Sequence, residues 1–241
     1  MKQIILLILF WNFVEMIYTN KKICIIINDK TTQAKFVISY LMSKLKTLDI
    51  YVCSTCSNMT GKKLFDFYTI EKYSEDMIKD CDYVFICSSD NNFKKHMYFD
   101  LCINRIINPF SNKHYLENDD VSISQNVIIN TGTIINNKVT IQFNVRIGKY
   151  CMIHSGCIIE HDCFVDDFVN LSPGTILCGH VSVGECTTIY AGAVVFPGIK
   201  IGKHCIIGGG SIIKENIPDY TVVIPKVETN LYEIKPRGVS K

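Results

Sequence analysis

From Asp119 to Lys214 the chain divides into sixteen consecutive blocks of six residues with no gap or insertion, and the fifth residue of every block is Ile, Val or Leu. The run opens DDVSIS, QNVIIN, TGTIIN and closes PGIKIG, KHCIIG, GGSIIK. The third position holds Val, Thr, Cys, Ala, Ile or Ser. A six-residue period kept this strictly predicts a parallel β-helix, in which each block supplies one short strand and a corner, and three blocks close a triangular coil of about 18 residues. The fifth-position aliphatics then stack inside the prism, and crowding at the inward third position favours small or β-branched side chains. At a strand spacing of about 4.8 Å the prism is about 25 Å tall. Cys151, Cys157, Cys163 and Cys205 occupy third positions and are expected to be core thiols, not metal ligands. The segment 215–241 contains Pro218, Pro225 and Pro236, and is expected to stop the repeat and cap its end.

Stacking places residues i and i+18 above one another, so each block position sorts into vertical columns. One first-position column reads Phe143, His161, Gly179, Pro197, and another reads Ser155, Pro173, Ala191, Gly209. The fourth positions face outward. One of their columns ends in Ile158, Ile176, Val194 and Ile212, an apolar stripe on an outer face. Such a stripe marks either an interface or a surface packed by another part of the chain. Its strands start at the Ala191 corner and end at the His161 corner. Three prisms turning this face to a threefold axis would therefore set one His161 corner against the next Ala191 corner, forming a cleft. A homotrimer is the expected assembly.

Residues 21–112 read differently. Ile23–Ile27, Ile50–Cys53 and Tyr83–Cys87 are predicted strands; Thr31–Lys46, Glu71–Asp80 and Asn91–Cys102 are predicted helices. This alternation implies a small parallel, Rossmann-like sheet with right-handed crossovers. Asn108, Pro109, Ser111 and Asn112 mark its boundary. Of the 14 glycines only Gly61 precedes residue 119, which excludes the glycine-rich dinucleotide fingerprint and the P-loop from this half. With 25 Lys+Arg against 23 Asp+Glu, charge gives no case for nucleic acid or an anionic membrane as partner. The apolar run Ile4–Trp11 is too short for a membrane span. It resembles a signal-peptide core, but EMIYTNKK after it offers no small-x-small cleavage site. Residues 1–20 are therefore read as a hydrophobic extension of a cytoplasmic protein, with secretion or anchoring as the alternative. Cys53 and Cys56 form a CxxC with no second pair to complete a zinc site and no helix start to activate a thiolate. They are read as structural thiols. The histidines of the repeat, His154, His161, His180 and His204, lack the close pair that a three-histidine zinc site needs, so no metal is expected.

Residues 119–218 resemble the hexapeptide-repeat acyltransferases. Within these the chain is most similar to the branch of sialic acid O-acetyltransferases and bacillosamine-type sugar N-acetyltransferases. The resemblance is carried by Ile159-Glu160-His161-Asp162-Cys163, Leu171-Ser172-Pro173-Gly174, Cys178-Gly179, Ala191-Gly192-Ala193, Pro197-Gly198-Ile199-Lys200-Ile201-Gly202 and Ile217-Pro218-Asp219. It implies a left-handed β-helix joined to an N-terminal domain that binds a nucleotide sugar. The implied activity moves acetyl from acetyl-CoA to the amine of a nucleotide-linked amino-deoxy sugar; acetylation of a sialic-acid-type hydroxyl is the alternative, and a non-catalytic β-helix scaffold is a third reading. By the same resemblance His161 is the general base and Asp162 raises its basicity. Gly179 is the backbone donor near the thioester oxygen, and Ala191 and Gly209 line the acetyl-CoA channel. Asn170 falls where relatives often carry a second histidine that contacts the thioester region. The acceptor side departs from the family. The glycine-rich turn after the first strand is replaced by Asn28-Asp29-Lys30-Thr31-Thr32-Gln33, and an acidic pair after the second strand by Cys53-Ser54-Thr55. Ser89-Asp90-Asn91 does resemble the family's third turn, so Asn28, Asp29, Ser89, Asp90 and Asn91 are the acceptor candidates. The chemistry suits these residues: an attacking amine loses a proton that a neutral imidazole can take, and a backbone N–H can meet the developing oxyanion.

Overall fold

The structure is a computed structural model that describes residues 22–28, 34–35, 37–39, 42, 49–66, 68–74, 76–77, 81, 83–88, 90–101, 115–117 and 120–226. The readings made on residues 1–20, Asp29, Ser89 and the tail beyond 226 fall outside them. Every block of the repeat forms a two-residue strand at its fourth and fifth positions, from β7 (Ser122–Ile123) to β22 (Ile212–Ile213). The strands sort into three parallel sheets, one per face of the prism. The register is i to i+18 throughout, for example Ile158 with Ile176 and Ile176 with Val194. From Ile135 to Ile213 the fifth-position side chains are all 4% exposed or less.

The third positions show why Thr and Cys recur there. Each such side chain is inward and compact, and all but Thr175, which donates to Ser172 O in its own coil, donate a hydrogen bond to a carbonyl on the next coil. Cys151 Sγ donates to Asp166 O at 3.1 Å, Cys157 Sγ to Ser172 O at 3.2 Å and Cys163 Sγ to Cys178 O at 3.1 Å. Thr133 and Thr187 do the same through Oγ1, each at 2.8 Å. Burial pushes the Cys157 and Cys163 thiols up to about 11, so neither is a reactive thiolate. All eleven described cysteines are free.

The second position carries a rule that the hydrophobic pattern hides. From Asn126 to Gly210 it has positive φ in every block, which is what turns each corner. Six of these residues are glycine, and Asn126, Asn144 and Asp162 are types that tolerate the left-handed region. Tyr150, Phe168 and His204 also adopt it and stack along their columns, Tyr150 on Phe168 with centroids 5.8 Å apart and His204 on Tyr220 at 5.0 Å.

The repeat extends beyond both predicted ends. β6 (Leu116–Glu117) pairs with Ile134–Ile135, and β23 (Val222–Val223) pairs with Ile206–Ile207. The expectation that residues 215 onward stop the coil is therefore corrected. The last coil is two residues shorter, and side chains repair its hydrogen bonds: Asn216 Oδ1 accepts from Lys200 N and Asp219 Oδ1 from Lys203 N, each at 2.8 Å. Pro218 sits where its missing N–H is not needed, and its carbonyl accepts from the Cys205 thiol.

The N-terminal strands form one sheet in the order β3-β4-β2-β1-β5. β1 (Lys22–Ile27), β2 (Asp49–Ser54) and β5 (Tyr83–Cys87) match the predicted strands. Residues 34–42 are helical where described, and α1 spans Asn91–Leu101. The predicted helix Glu71–Asp80 is corrected in its first part. Glu71 and Lys72 belong to β4 (Tyr68–Lys72), which runs parallel to β2 and pairs with β3 (Lys63–Leu64) as a hairpin around the positive-φ residues Phe65 and Asp66. Glu71 and Lys72 are both exposed, so the end of β4 lacks a strand's alternation and reads as the start of an amphipathic helix.

Helix α1 docks on the seven-stranded face. Asn91 Nδ2 donates to Cys186 O at 3.1 Å and Thr188 Oγ1 at 3.0 Å, and Lys94 Nζ to Tyr150 O at 2.9 Å. Lys95 pairs with Glu185 at 2.8 Å. Lys94 is fully buried, and loss of hydration pulls its ammonium down to about 8. His154 lies in the same environment. Burial, and then the Lys94 charge, hold its imidazole below the ordinary value, with the Asn170 side chain opposing them. Below about pH 6.5 the unfolded chain takes a proton here that the folded chain refuses, so stability falls on acidification. The unfolding midpoint is expected to drop as the pH falls below about 6.5, and His154→Gln to flatten that drop. Thermal melts across this range check it. The Asp162 carboxylate acts in the same direction but at lower pH, since its group is held below the carboxylate range.

Candidate active site

His161 and Asp162 occupy the first two positions of one block, at the corner where the six-stranded face turns into the five-stranded face. Their order sets their geometry. His161 stands off the corner, and the left-handed φ of +59° at Asp162 swings its carboxylate back beside the ring. His161 Nδ1 and Asp162 Oδ2 are 2.8 Å apart. A carboxylate only accepts, so Nδ1 carries the hydrogen and Nε2 is left with its lone pair. Asn144, one coil earlier in the column, donates to Asp162 Oδ1 at 3.2 Å. His180, one coil later, brings Nε2 to 3.8 Å from Asp162 Oδ2. The hydrogen bond from His161 first, then that from Asn144, hold the Asp162 carboxyl below the usual carboxylate range. It therefore stays ionised wherever the imidazole is neutral.

The ring is fixed from three sides. Phe143 stacks on it with centroids 5.4 Å apart, and His180 meets it edge-on at 5.1 Å. Gly179 lies against the third side: a Cβ there would sit 2.7 Å from His161 Cε1 and Nε2. The space left by the missing side chain is thus taken by the imidazole itself. The Gly179 N–H has no hydrogen-bond partner among the described residues, so a donor lies next to the base. Gly179→Ala is expected to push the ring out of place and lower kcat at least about tenfold. Position 179 is outside the left-handed region, so the backbone itself accepts alanine. Steady-state kinetics with a circular dichroism control checks this.

The other predicted residues divide. Ala191 and Gly209 are exposed and stacked one coil apart at the next corner, where a Cβ on Gly209 would meet Ala191 O at 3.1 Å. Ile158, Ile176, Val194 and Ile212 form one column between these two corners, with Ile212 61% exposed. Asn170 is not at the His161 corner. It lies on the face covered by α1 and is 5% exposed, and its Oδ1 has no partner among the described residues. Asn28 and Asp90 follow β1 and β5, adjacent parallel strands at the point where the strand order reverses, a usual place for a ligand crevice. Asn28 Oδ1 is buried and unpartnered there. Asp90 caps α1, with Oδ1 accepting from Phe93 N at 3.0 Å. Asn91 turns its amide to the β-helix, as described above. Since α1 covers the seven-stranded face, these N-terminal residues lie across the prism from the His161 corner.

Asn144 and His180 were missed in the sequence, although they share the second-position column of Asp162. The same column upsets the metal argument from histidine spacing. His161, Asp162 and His180 bring ligand atoms within 4.8 Å of one another, as do Glu185, Cys186 and His204. In the first group two of those atoms are already joined by the Nδ1–Oδ2 hydrogen bond.

No family model matches the chain. Solved structures do. A histidine-to-asparagine variant of perosamine N-acetyltransferase from Caulobacter crescentus, in complex with CoA and GDP-perosamine, has a TM-score of 0.71 at 21% identity, over 86% of this chain and 97% of its own. The acetyltransferase domain of PglB from Neisseria gonorrhoeae, with acetyl coenzyme A, has a TM-score of 0.68 at 19% identity, over 84% and 95%. The chain has the fold of sugar N-acetyltransferases. A curated relative, galactoside O-acetyltransferase of Lactococcus lactis, is 43% identical over 42 residues, so the chain spans about a fifth of its length (20%) and 17% of this chain is matched. Among the described residues no helix is long and apolar enough to cross a membrane.

Proposed function

We propose that this protein transfers acetyl from acetyl-CoA to the amine of a nucleotide-linked amino-deoxy sugar, with His161 as the general base. The single observation that carries the reading is the oriented base. Nδ1–H of His161 is held by an ionised carboxylate, Nε2 has its lone pair, and the ring lies against Gly179, whose N–H has no partner among the described residues. An amine attacking a thioester needs that pair of functions: a base for its proton and a donor for the oxyanion. The reading is supported by likeness of fold to enzymes solved with CoA and GDP-perosamine. The β-helix is then left-handed, running from Leu116 to Val223, and the N-terminal domain, over residues 21–112, is Rossmann-like.

The site is completed by assembly. In a homotrimer built on the Ile158–Ile212 stripe, Ala191 and Gly209 of one protomer form the small-residue wall of the acetyl-CoA channel opposite His161 of the next. Asn28, Asp29, Ser89 and Asp90 are the acceptor residues, and Asn91 anchors their domain to the prism. Asn170, sealed under α1, takes no part in donor binding. A donor made in the cytoplasm and eleven unpaired thiols fit a cytoplasmic protein.

The test is incubation with labelled acetyl-CoA and a panel of UDP-, GDP- and dTDP-linked amino sugars. The label is expected in the nucleotide-sugar fraction and to survive mild alkali, as an amide does. Label released by alkali would instead indicate an O-acetyl ester, and no transfer to any member would sink the acetyltransferase reading.

A further inference from the structure

A groove of about 750 Å³ opens beside Asp162 on the five-stranded face. Its floor carries Ile128, Arg146 and Phe164, which stack on one another as the outward residues of the paired strands Ile128–Ile129, Arg146–Ile147 and Phe164–Val165. Asn126 and Asn144 line its corner edge. Arg146 is the one arginine among the described residues, and its guanidinium makes no ion pair or hydrogen bond there. Phe164 is 45% exposed and Ile128 51%. A guanidinium with its whole fork free, next to an exposed ring and two amides, is equipped for a phosphate-bearing ligand with a flat or apolar part.

Two ligands of the proposed reaction carry a diphosphate, and reach separates them. Arg146 lies two residues along the strand from Asn144, which bonds Asp162 from the adjacent coil. At about 3.3 Å per residue and about 4.8 Å per coil, the backbone of Arg146 is about 8 Å from that of Asp162. In CoA the whole pantetheine arm separates the thioester from the diphosphate, too far for this spacing. In a nucleotide sugar only one hexose ring separates the amine from the anomeric phosphate. We propose that this groove holds the diphosphate of the acceptor, with Arg146 gripping the phosphate and Phe164 packing against the sugar or base. The assignment rests on the acetyltransferase reading above. It agrees with the proposed trimer, in which the stripe face turns inward. The N-terminal domain on one protomer's seven-stranded face is then flanked by the next protomer's five-stranded face, and the acceptor is clasped between them. Donor and acceptor reach His161 from its two opposite flanks.

The test is Arg146→Gln in the full-length protein, assayed on the nucleotide amino sugar that the wild type uses. KM for that acceptor is expected to rise about ten- to hundredfold, with kcat changed less and KM for acetyl-CoA unchanged. Arg146→Lys should recover part of the loss, and turnover on the free amino sugar, which lacks the diphosphate, should be the same in both proteins. An unchanged acceptor KM, or a rise confined to acetyl-CoA, overturns the groove assignment and leaves the acetyltransferase reading standing. A wild type that acetylates neither nucleotide-linked nor free amino sugars overturns both. Because the side chain is exposed, Arg146→Gln is expected to melt as the wild type does.

Discussion

His161→Ala is expected to lower kcat by about 10²–10⁴ while leaving the unfolding midpoint and acetyl-CoA affinity nearly unchanged. The side chain stands at a corner outside the prism, and its contacts are with Phe143, Asp162, His180 and the face of Gly179. Removing it opens no cavity in the stacked core. It does remove the nitrogen lone pair that this arrangement holds beside Gly179, whose N–H has no partner among the described residues. Asp162→Asn should cost less. An amide can also accept from Nδ1–H, but it offers no charge to stabilise the imidazolium that forms during the reaction. His204→Ala is the control, since His204 lies on a different corner against Tyr220. Its turnover should match the wild type's. A His161→Ala enzyme with wild-type turnover would refute the mechanism.

Ile176→Lys is expected to convert the protein to monomers and to abolish turnover. Ile176 sits in the middle of the stripe, hydrogen-bonded in register between Ile158 and Val194. In the proposed trimer each buried aliphatic contributes at most about 1.5–3 kcal/mol, and the stripe repeats in three copies. A lysine here loses that burial and brings three ammonium groups together near the axis. The fold itself should hold, because the side chain points away from the prism interior and the inward neighbour Leu177 is untouched. Light scattering reads the mass directly. A wild type that is already monomeric would remove both the trimer and the shared cleft.

The β-helix was legible because its signal is redundant. Fourteen fifth-position side chains that the period placed inside are buried, and the i to i+18 columns are real hydrogen-bonded ladders. That redundancy also identified His161, Gly179, Ala191 and Gly209 as corner residues in two stacks. What the pattern could not carry was anything decided by the second positions. They hold no common side-chain type, only a common φ, so Asn144, Asp162 and His180 did not look like one group. The end of the coil was misjudged for a related reason. Prolines argue against a strand interior, but Pro218 falls in a corner. In the N-terminal sheet, β4 was missed because a five-residue strand that ends in the exposed pair Glu71 and Lys72 resembles the start of an amphipathic helix. Asn91 and Asn170 were read from likeness to relatives. Their burial where α1 meets the seven-stranded face is a tertiary fact that neither residue announces locally.

The most direct measurement is mass spectrometry of the nucleotide amino sugar after incubation with acetyl-CoA, run side by side with wild type and His161→Ala. The account predicts a product heavier by one acetyl group on the sugar nitrogen with the wild type, and unmodified sugar with the variant over the same time. Unmodified sugar in both reactions, across the whole panel, or equal product in both, would contradict it.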